Sequence, residues 1–200
     1  MSNSRSQYTI AGDGNGPRFT DAGSGNAVFL LQPASRALKD RLAENFRVIT
    51  LETRDSRALQ SITQSLRRTA DQLVITKYSL IAESEFAAAA MAHTIDSGDS
   101  VESLTLIAPN DASNGASLDL HLEQCNAPTL VLFGTRDQVV APEAGRAYAR
   151  RIPKCFYTLV YDAGHDIGAD RPQALHAVVR DFLEHREKFV IAHESSVINP

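Results

Sequence analysis

A chain of 200 residues is long enough for one domain with a single large hydrophobic core. Hydrophobic residues make up 43% and charged residues 22% of it, which is typical of soluble globular proteins and excludes disordered and fibrous classes. The net charge of -4 gives no reason to expect nucleic-acid binding, and no stretch approaches the roughly 18 consecutive apolar residues of a membrane span.

The cysteines and the N-terminus bear on the compartment. Two cysteines, Cys125 and Cys155, are too few for a disulfide framework and fit a reducing environment. Residues 1–6 are polar and lack the apolar centre of a signal peptide. The sequence therefore predicts a cytoplasmic protein with neither a nucleic-acid nor a membrane partner.

Strand-like and helix-like segments alternate along the chain. Short apolar or β-branched runs bounded by turn residues predict strands at 8–11, 18–21, 27–31, 47–51, 78–81, 101–108, 128–133 and 156–161. Apolar residues at helical spacing, or runs of alanine, predict helices at 34–46, 61–74, 86–95, 142–152 and from 172 onward. A Gly/Asn/Asp-rich turn at 12–16 joins the first two strands as a hairpin.

This alternation predicts an α/β fold with a mainly parallel sheet of about seven to eight strands, helices on both faces and an antiparallel N-terminal hairpin. Residues 110–124 are mostly polar, with one helical turn expected at 118–123. In the tail, residues 189–191 are expected either to dock back on the domain or to meet another chain.

Three chemically reactive side chains follow predicted strands. Ser84 lies in a tight turn between a strand and a helix, which lifts its hydroxyl above the sheet near a helix N-terminus. Asp137 and His165 follow two later strands, and the carboxyl ends of parallel strands share one edge of the sheet. In acyl transfer a serine is the nucleophile, a histidine is the base that takes its proton, and an aspartate is the carboxylate that holds the imidazole in the correct tautomer.

The turn around Ser84 resembles the nucleophile elbow of the α/β-hydrolase family, and the chain order Ser84, Asp137, His165 is the order of that family. Gly134-Thr-Arg-Asp137 and Asp162-Ala-Gly-His165 are similar to its Gly-x-x-Asp and Ala-Gly-His segments. The resemblance extends from about residue 8 to residue 186. It implies a single α/β-hydrolase domain over residues 1–200, with residues 189–200 an uncertain tail. No metal or organic cofactor is expected, because the sequence has no cluster of His, Cys and carboxylate residues with ligand spacing. No separate cap domain is expected, because the segment 110–124 is too short to form one.

Two parts of the family pattern differ in this chain. The elbow pattern Gly-x-Ser-x-Gly has Ala82 and Phe86 at the glycine positions. The loop after the first buried strand reads Gln32-Pro33 where the family usually has His-Gly. Gln32, Glu83 and Phe86 are candidate pocket residues, although Phe86 is more typical of a core position.

The resemblance also implies an oxyanion hole made of two backbone N–H groups. One comes from Glu85, the residue after the serine. Because Pro33 has no N–H group, the other must come from Ala34. The side chain of Glu85 must point to solvent, since a carboxylate beside a developing anion would oppose it.

Two alternatives stay open at this stage. Asp111 follows the strand 101–108 and is a rival to Asp137 as the acid.

The activity that the resemblance implies is hydrolysis of a small ester-like substrate, a carboxylic ester or thioester, through an acyl-enzyme. The alternative is a catalytically weakened member that binds a small molecule or a protein. The sequence leaves both a monomer and a homo-oligomer open.

Overall fold

One sheet of nine strands organises the computed structural model, which describes residues 9–11, 17–31, 36–52, 59–110, 121–189 and 197–198. The strands are β1 (Thr9–Ala11), β2 (Arg18–Ala22), β3 (Ala27–Leu31), β4 (Arg47–Glu52), β5 (Tyr78–Glu83), β6 (Val101–Ile107), β7 (Thr129–Gly134), β8 (Cys155–Val160) and β9 (Val197–Ile198). The α-helices are α1 (Arg36–Leu42), α2 (Leu59–Gln72), α3 (Ala87–Ser97), α4 (Gly145–Arg151), α5 (Ile167–Asp170) and α6 (Pro172–His185).

The strand order across the sheet is β1-β2-β4-β3-β5-β6-β7-β8-β9. Strand β2 runs antiparallel to both β1 and β4, and the remaining neighbours are parallel. The predicted mainly parallel sheet with an antiparallel N-terminal hairpin is therefore confirmed. All eight predicted strands are present, and the ninth is the two-residue β9 in the tail, which is too short to leave a pattern in the sequence.

Helices cover both faces of the sheet, as predicted. One core lies under α2, α3 and α4, which contribute the buried residues Ile62, Leu66, Ala87, Ala90, Met91 and Tyr148. The second core lies under α1, α5 and α6, which contribute Leu38, Leu42, Ile167, Leu175, Val179 and Phe182. Strands β3, β5, β6 and β7 pass between these cores and are buried on both faces, which explains why β3 and β7 read as nearly continuous apolar runs rather than alternating ones.

The helix bounds differ from the predicted ones at several ends. The segment predicted as 142–152 begins as a 3-10 turn at Pro142–Ala144 before α4 starts. The four-residue α5 was not predicted, because it is too short to show a helical period. Within the part of the chain that the structure describes, no helix combines the length and the apolarity needed to cross a membrane.

The start of the tail packs against the domain. Phe189 is buried, and its ring lies 5.4 Å from that of Phe156 and 5.5 Å from that of Phe182, both edge-on. Of the two alternatives for residues 189–191, docking back therefore holds for Phe189. Residues 190 and 191 lie outside the described residues.

A polar pair is buried in the core under α3. The Tyr78 hydroxyl lies 2.5 Å from His93 Nε2, and Ser97 Oγ lies 3.2 Å from the same nitrogen. Burial lowers the pKa of His93 to about 4, with a smaller effect from the positive charge of Arg67. Burial likewise raises the pKa of Tyr78 to about 12. Both groups are therefore held neutral at pH 7.

Candidate active site

Ser84 occupies a sharp turn between β5 and α3. Its φ of 48° lies in the left-handed region, which costs a residue other than glycine roughly 1–2 kcal/mol. The turn is a 3-10 segment, Ser84–Phe86, that leads directly into α3. The N–H group of Asn110, beyond the end of β6, donates to the Ser84 carbonyl oxygen at 3.2 Å and holds the turn in place.

The Ser84 hydroxyl faces His165. Ser84 Oγ lies 3.2 Å from His165 Nε2, and His165 Nδ1 lies 2.9 Å from Asp137 Oδ2. The three side chains therefore form one hydrogen-bonded chain across the ends of β5, β7 and β8. In this geometry a proton on Nδ1 is held by the carboxylate, which leaves Nε2 as the acceptor for the serine proton.

Backbone donors orient the Asp137 carboxylate. Asp137 Oδ1 accepts hydrogen bonds from the N–H groups of Val139 at 2.8 Å and Val140 at 3.0 Å. Its other oxygen is thereby directed at His165. The Asp137 side chain is fully buried, whereas 23% of the His165 side chain is exposed. The carboxylate is shielded from water, and the imidazole is open on the side that faces the serine.

The loops that carry Asp137 and His165 touch backbone to backbone. A Cβ atom on Gly134 would lie 2.2 Å from the carbonyl oxygens of both Ala163 and Gly164, so only glycine allows the approach. The N–H group of Arg136 donates to the Ala163 carbonyl at 2.8 Å. The glycine of the Gly-x-x-Asp segment therefore sets the distance between the acid and the base.

Two further aspartates stabilise the turn around His165. Asp170 Oδ2 accepts the N–H group of Gly164 at 2.7 Å. Asp166 Oδ1 accepts the N–H group of Ala169 at 2.9 Å and caps α5. Asp170 was not predicted from the sequence. The signal that could have found it is Asp166 as an N-cap, which places Asp170 within the first turn of a helix.

A cavity of about 170 Å³ opens beside Ser84 and His165. Among the described residues, it is also lined by Glu83, Ile107, Ala108, Asp166, Ile167 and Gly168. Of the three candidate pocket residues, the structure places Glu83 here, as the last residue of β5. Asp166 and the residues from β6 and α5 were not predicted, because their position depends on which strands are neighbours in the sheet.

Phe86 does not line this cavity. Its side chain is 3% exposed and belongs to the core under α2, α3 and α4, so the expectation that it is a pocket residue is corrected. The reason is its place at the end of the 3-10 turn, where the chain enters α3 and its side chain packs toward the sheet. Ala82, at the other glycine position, is likewise fully buried in that core.

The remaining predicted site residues divide into two groups. Glu85 directly follows Ser84 and its side chain is exposed, as its proposed backbone role requires. Gln32, Pro33, Ala34 and Asp111 lie outside the described residues. Both oxyanion donors and the rival acid therefore stay predictions.

A larger groove, of about 730 Å³, lies at the other end of the parallel strands from Ser84. It is lined by residues at the amino ends of the parallel strands, such as Val101 and Pro128, and by charged side chains such as Lys154 and Glu187, which pair with each other. The serine, histidine and aspartate of the hydrogen-bonded chain are absent from its lining. Among the described residues, no group of three or more His, Cys, Asp or Glu side chains could hold a metal ion.

Solved structures share the architecture of this chain over most of its length. A membrane phospholipase A that is a bacterial virulence factor covers 90% of this chain with 86% of its own, at a TM-score of 0.77 and 14% identity. The match to a serine hydrolase involved in carbazole degradation covers 90% of this chain and 99% of that protein, with a TM-score of 0.74 and 14% sequence identity. The match to an alpha/beta hydrolase enzyme from the sediment metagenome of the Mar Chica lagoon, Morocco, covers 90% of this chain and 99% of that protein, with a TM-score of 0.73 and 13% sequence identity. No protein-family model and no curated protein matches the sequence. Identities this low show a shared fold alone.

Proposed function

From the α/β-hydrolase fold that this chain has, we propose that it is a serine-dependent hydrolase that cleaves carboxylic esters or thioesters through an acyl-enzyme. One observation carries the proposal. Ser84, held at a φ of 48°, points its hydroxyl at His165 Nε2, while Asp137 binds the other ring nitrogen. A strained backbone that aims a hydroxyl at an oriented imidazole is more typical of a reaction site than of a structural turn.

The reaction follows from these contacts. Ser84 Oγ attacks the carbonyl carbon while His165 Nε2 takes its proton, and Asp137 stabilises the imidazolium. The carbon–oxygen or carbon–sulfur bond to the leaving group then breaks as His165 donates that proton to the leaving atom. Water attacks the acyl-enzyme by the same route in reverse, with His165 as the base. Glu85 and Ala34 are the proposed N–H donors to the oxyanion.

The competing hypothesis is a catalytically weakened protein that binds a small molecule or a partner. It was motivated by Phe86, Ala82 and Pro33. Phe86 and Ala82 pack into the core and leave the space in front of Ser84 open, which favours the hypothesis that the protein is an enzyme. The third lies outside the described residues.

Labelling with a fluorophosphonate probe tests the proposal, because such probes react with activated serines. Wild-type protein should be labelled at Ser84 and should release p-nitrophenol from p-nitrophenyl acetate. Ser84→Ala should lose both signals, whereas Ser61→Ala, which alters an exposed serine on α2, should keep them. A wild-type protein that is folded but neither labelled nor active would favour the binding module.

A further inference from the structure

A strained residue lies shortly before His165, in the loop that follows β8. Asp162 has a φ of 61°, in the left-handed region that residues other than glycine rarely adopt. Such a conformation persists only where surrounding contacts hold it, because the chain otherwise relaxes to a negative φ. A rotation at Asp162 would carry Ala163, Gly164 and His165 with it. The contacts that hold Asp162 therefore help to decide where the base lies.

One of these contacts comes from the loop that carries Asp137. The N–H group of Asp162 donates a hydrogen bond to Thr135 Oγ1 at 2.9 Å. Thr135 directly follows Gly134, the last residue of β7, and its own N–H group donates to the Val160 carbonyl oxygen at 3.0 Å. The sheet therefore fixes the backbone from which the Thr135 hydroxyl reaches the loop that carries His165.

A second side chain reaches Asp162 from the solvent side. Arg136 Nη2 donates to the Asp162 carbonyl oxygen at 3.1 Å and pairs with Asp162 Oδ1 at 3.0 Å. Since 65% of the Arg136 side chain is exposed, water competes for both contacts and they hold the backbone weakly. The hydrogen bond to Thr135 is partly buried. It is therefore the better suited of the two to keep Asp162 in its strained conformation.

We propose that Thr135 is a positioning residue for His165: its hydroxyl holds Asp162 in the conformation that aims the imidazole at Ser84 and Asp137. This inference rests on the proposed serine-hydrolase function and adds a residue to it. Thr135 does not line the cavity beside Ser84, and it acts on the base through the backbone of residues 162–165. Its loss should therefore slow proton transfer and leave substrate binding as it is.

Thr135→Val tests the inference, because valine keeps the branched shape of threonine and has no hydrogen-bond acceptor. Hydrolysis of p-nitrophenyl acetate is measured well below the melting temperature of the variant. We expect kcat to fall by at least about tenfold, since a misplacement of about 1 Å costs roughly 10²-fold. We expect KM to stay within about twofold, because His165 is the base in both formation and breakdown of the acyl-enzyme, so both steps slow together. The rate of fluorophosphonate labelling should fall with kcat.

A rescue variant and a matched control accompany this change. Thr135→Ser restores a hydroxyl acceptor and should return kcat to within about threefold of wild type. Thr63→Val makes the same change at a threonine of α2, whose hydroxyl donates to the Gln60 carbonyl oxygen at 3.0 Å. It should leave kcat unchanged. If Thr135→Val fails to fold, Thr135→Ala is compared with Thr135→Ser in its place.

The outcomes separate this inference from the proposed function. A purely structural role for Thr135 would lower the melting temperature and leave kcat of the folded variant unchanged, and that result would overturn the inference while the esterase function stands. Equal losses of kcat in Thr135→Val and Thr135→Ser would also overturn it, because the hydroxyl would then not be the group that matters. A folded wild type that neither hydrolyses the ester nor reacts with the probe would refute the proposed function, and this inference with it.

Discussion

Replacing Asp137 by asparagine is expected to convert the hydrogen-bonded chain into one that cannot accept the serine proton. The two N–H groups that meet Asp137 Oδ1 need an acceptor, so the amide oxygen of the asparagine must turn toward Val139 and Val140. Its NH₂ group then faces His165 Nδ1, which has to become an acceptor. The proton moves to Nε2, and the nitrogen that faces Ser84 becomes a donor.

The opposite orientation of the amide is too costly to compete. It would place the NH₂ group against the same two backbone donors at a fully buried position. Each unsatisfied N–H group there costs about 1–3 kcal/mol. The wrong imidazole tautomer is therefore the stable one, and kcat should fall by up to about 10⁴, which corresponds to about 5 kcal/mol in activation free energy.

The assay is the steady-state hydrolysis of p-nitrophenyl acetate, with the melting temperature measured in parallel. The matched control is Asp162→Asn. Asp162 lies in the loop that carries His165 and forms an exposed ion pair with Arg136, so this variant also removes one negative charge near the site. It should stay within about threefold of wild type, because surface ion pairs contribute little. If Asp137→Asn stays within tenfold of wild type while the protein is folded, the tautomer reasoning is refuted. If Asp111→Asn is the more damaging change, Asp111 is the acid.

Three further predictions concern strain, close approach and buried charge. Ser84→Gly should melt about 2–4 °C above Ser84→Ala, since glycine accepts a φ of 48° without strain; equal melting temperatures would contradict this. Gly134→Ala should lower kcat by at least about 10², because its Cβ would collide with the Ala163 carbonyl and displace the loop, and unchanged activity would show that the loops yield. Burial in the folded protein lowers the pKa of His93 from 6.5 to about 4. Between these two pH values the unfolded chain carries a proton on His93 that the folded protein lacks. About 3 kcal/mol of the free energy of unfolding should therefore be lost as the pH falls from about 6.5 to 4. Urea unfolding of wild type and His93→Gln checks this, and the same pH dependence in both would exclude His93 as its source.

The sequence by itself determined the α/β architecture. Continuous apolar runs such as residues 27–31 and 128–133, separated by segments with helical spacing, are enough to predict a parallel sheet covered on both faces. It also determined which edge the reactive residues share, because Ser84, Asp137 and His165 each follow a parallel strand. These conclusions depend on local patterns, which the chain carries whether or not it is folded.

The tertiary structure decided how those residues meet. Ser84 and His165 are 81 residues apart, and their 3.2 Å contact depends on the backbone approach that Gly134 allows. The burial of Glu83 at the end of β5, and of Phe86 at the end of the 3-10 turn that follows, likewise depends on which face of the sheet each side chain takes. No local pattern encodes such choices, because a shift of one residue at a strand end reverses the face, and the neighbours that decide between the faces are distant in the chain.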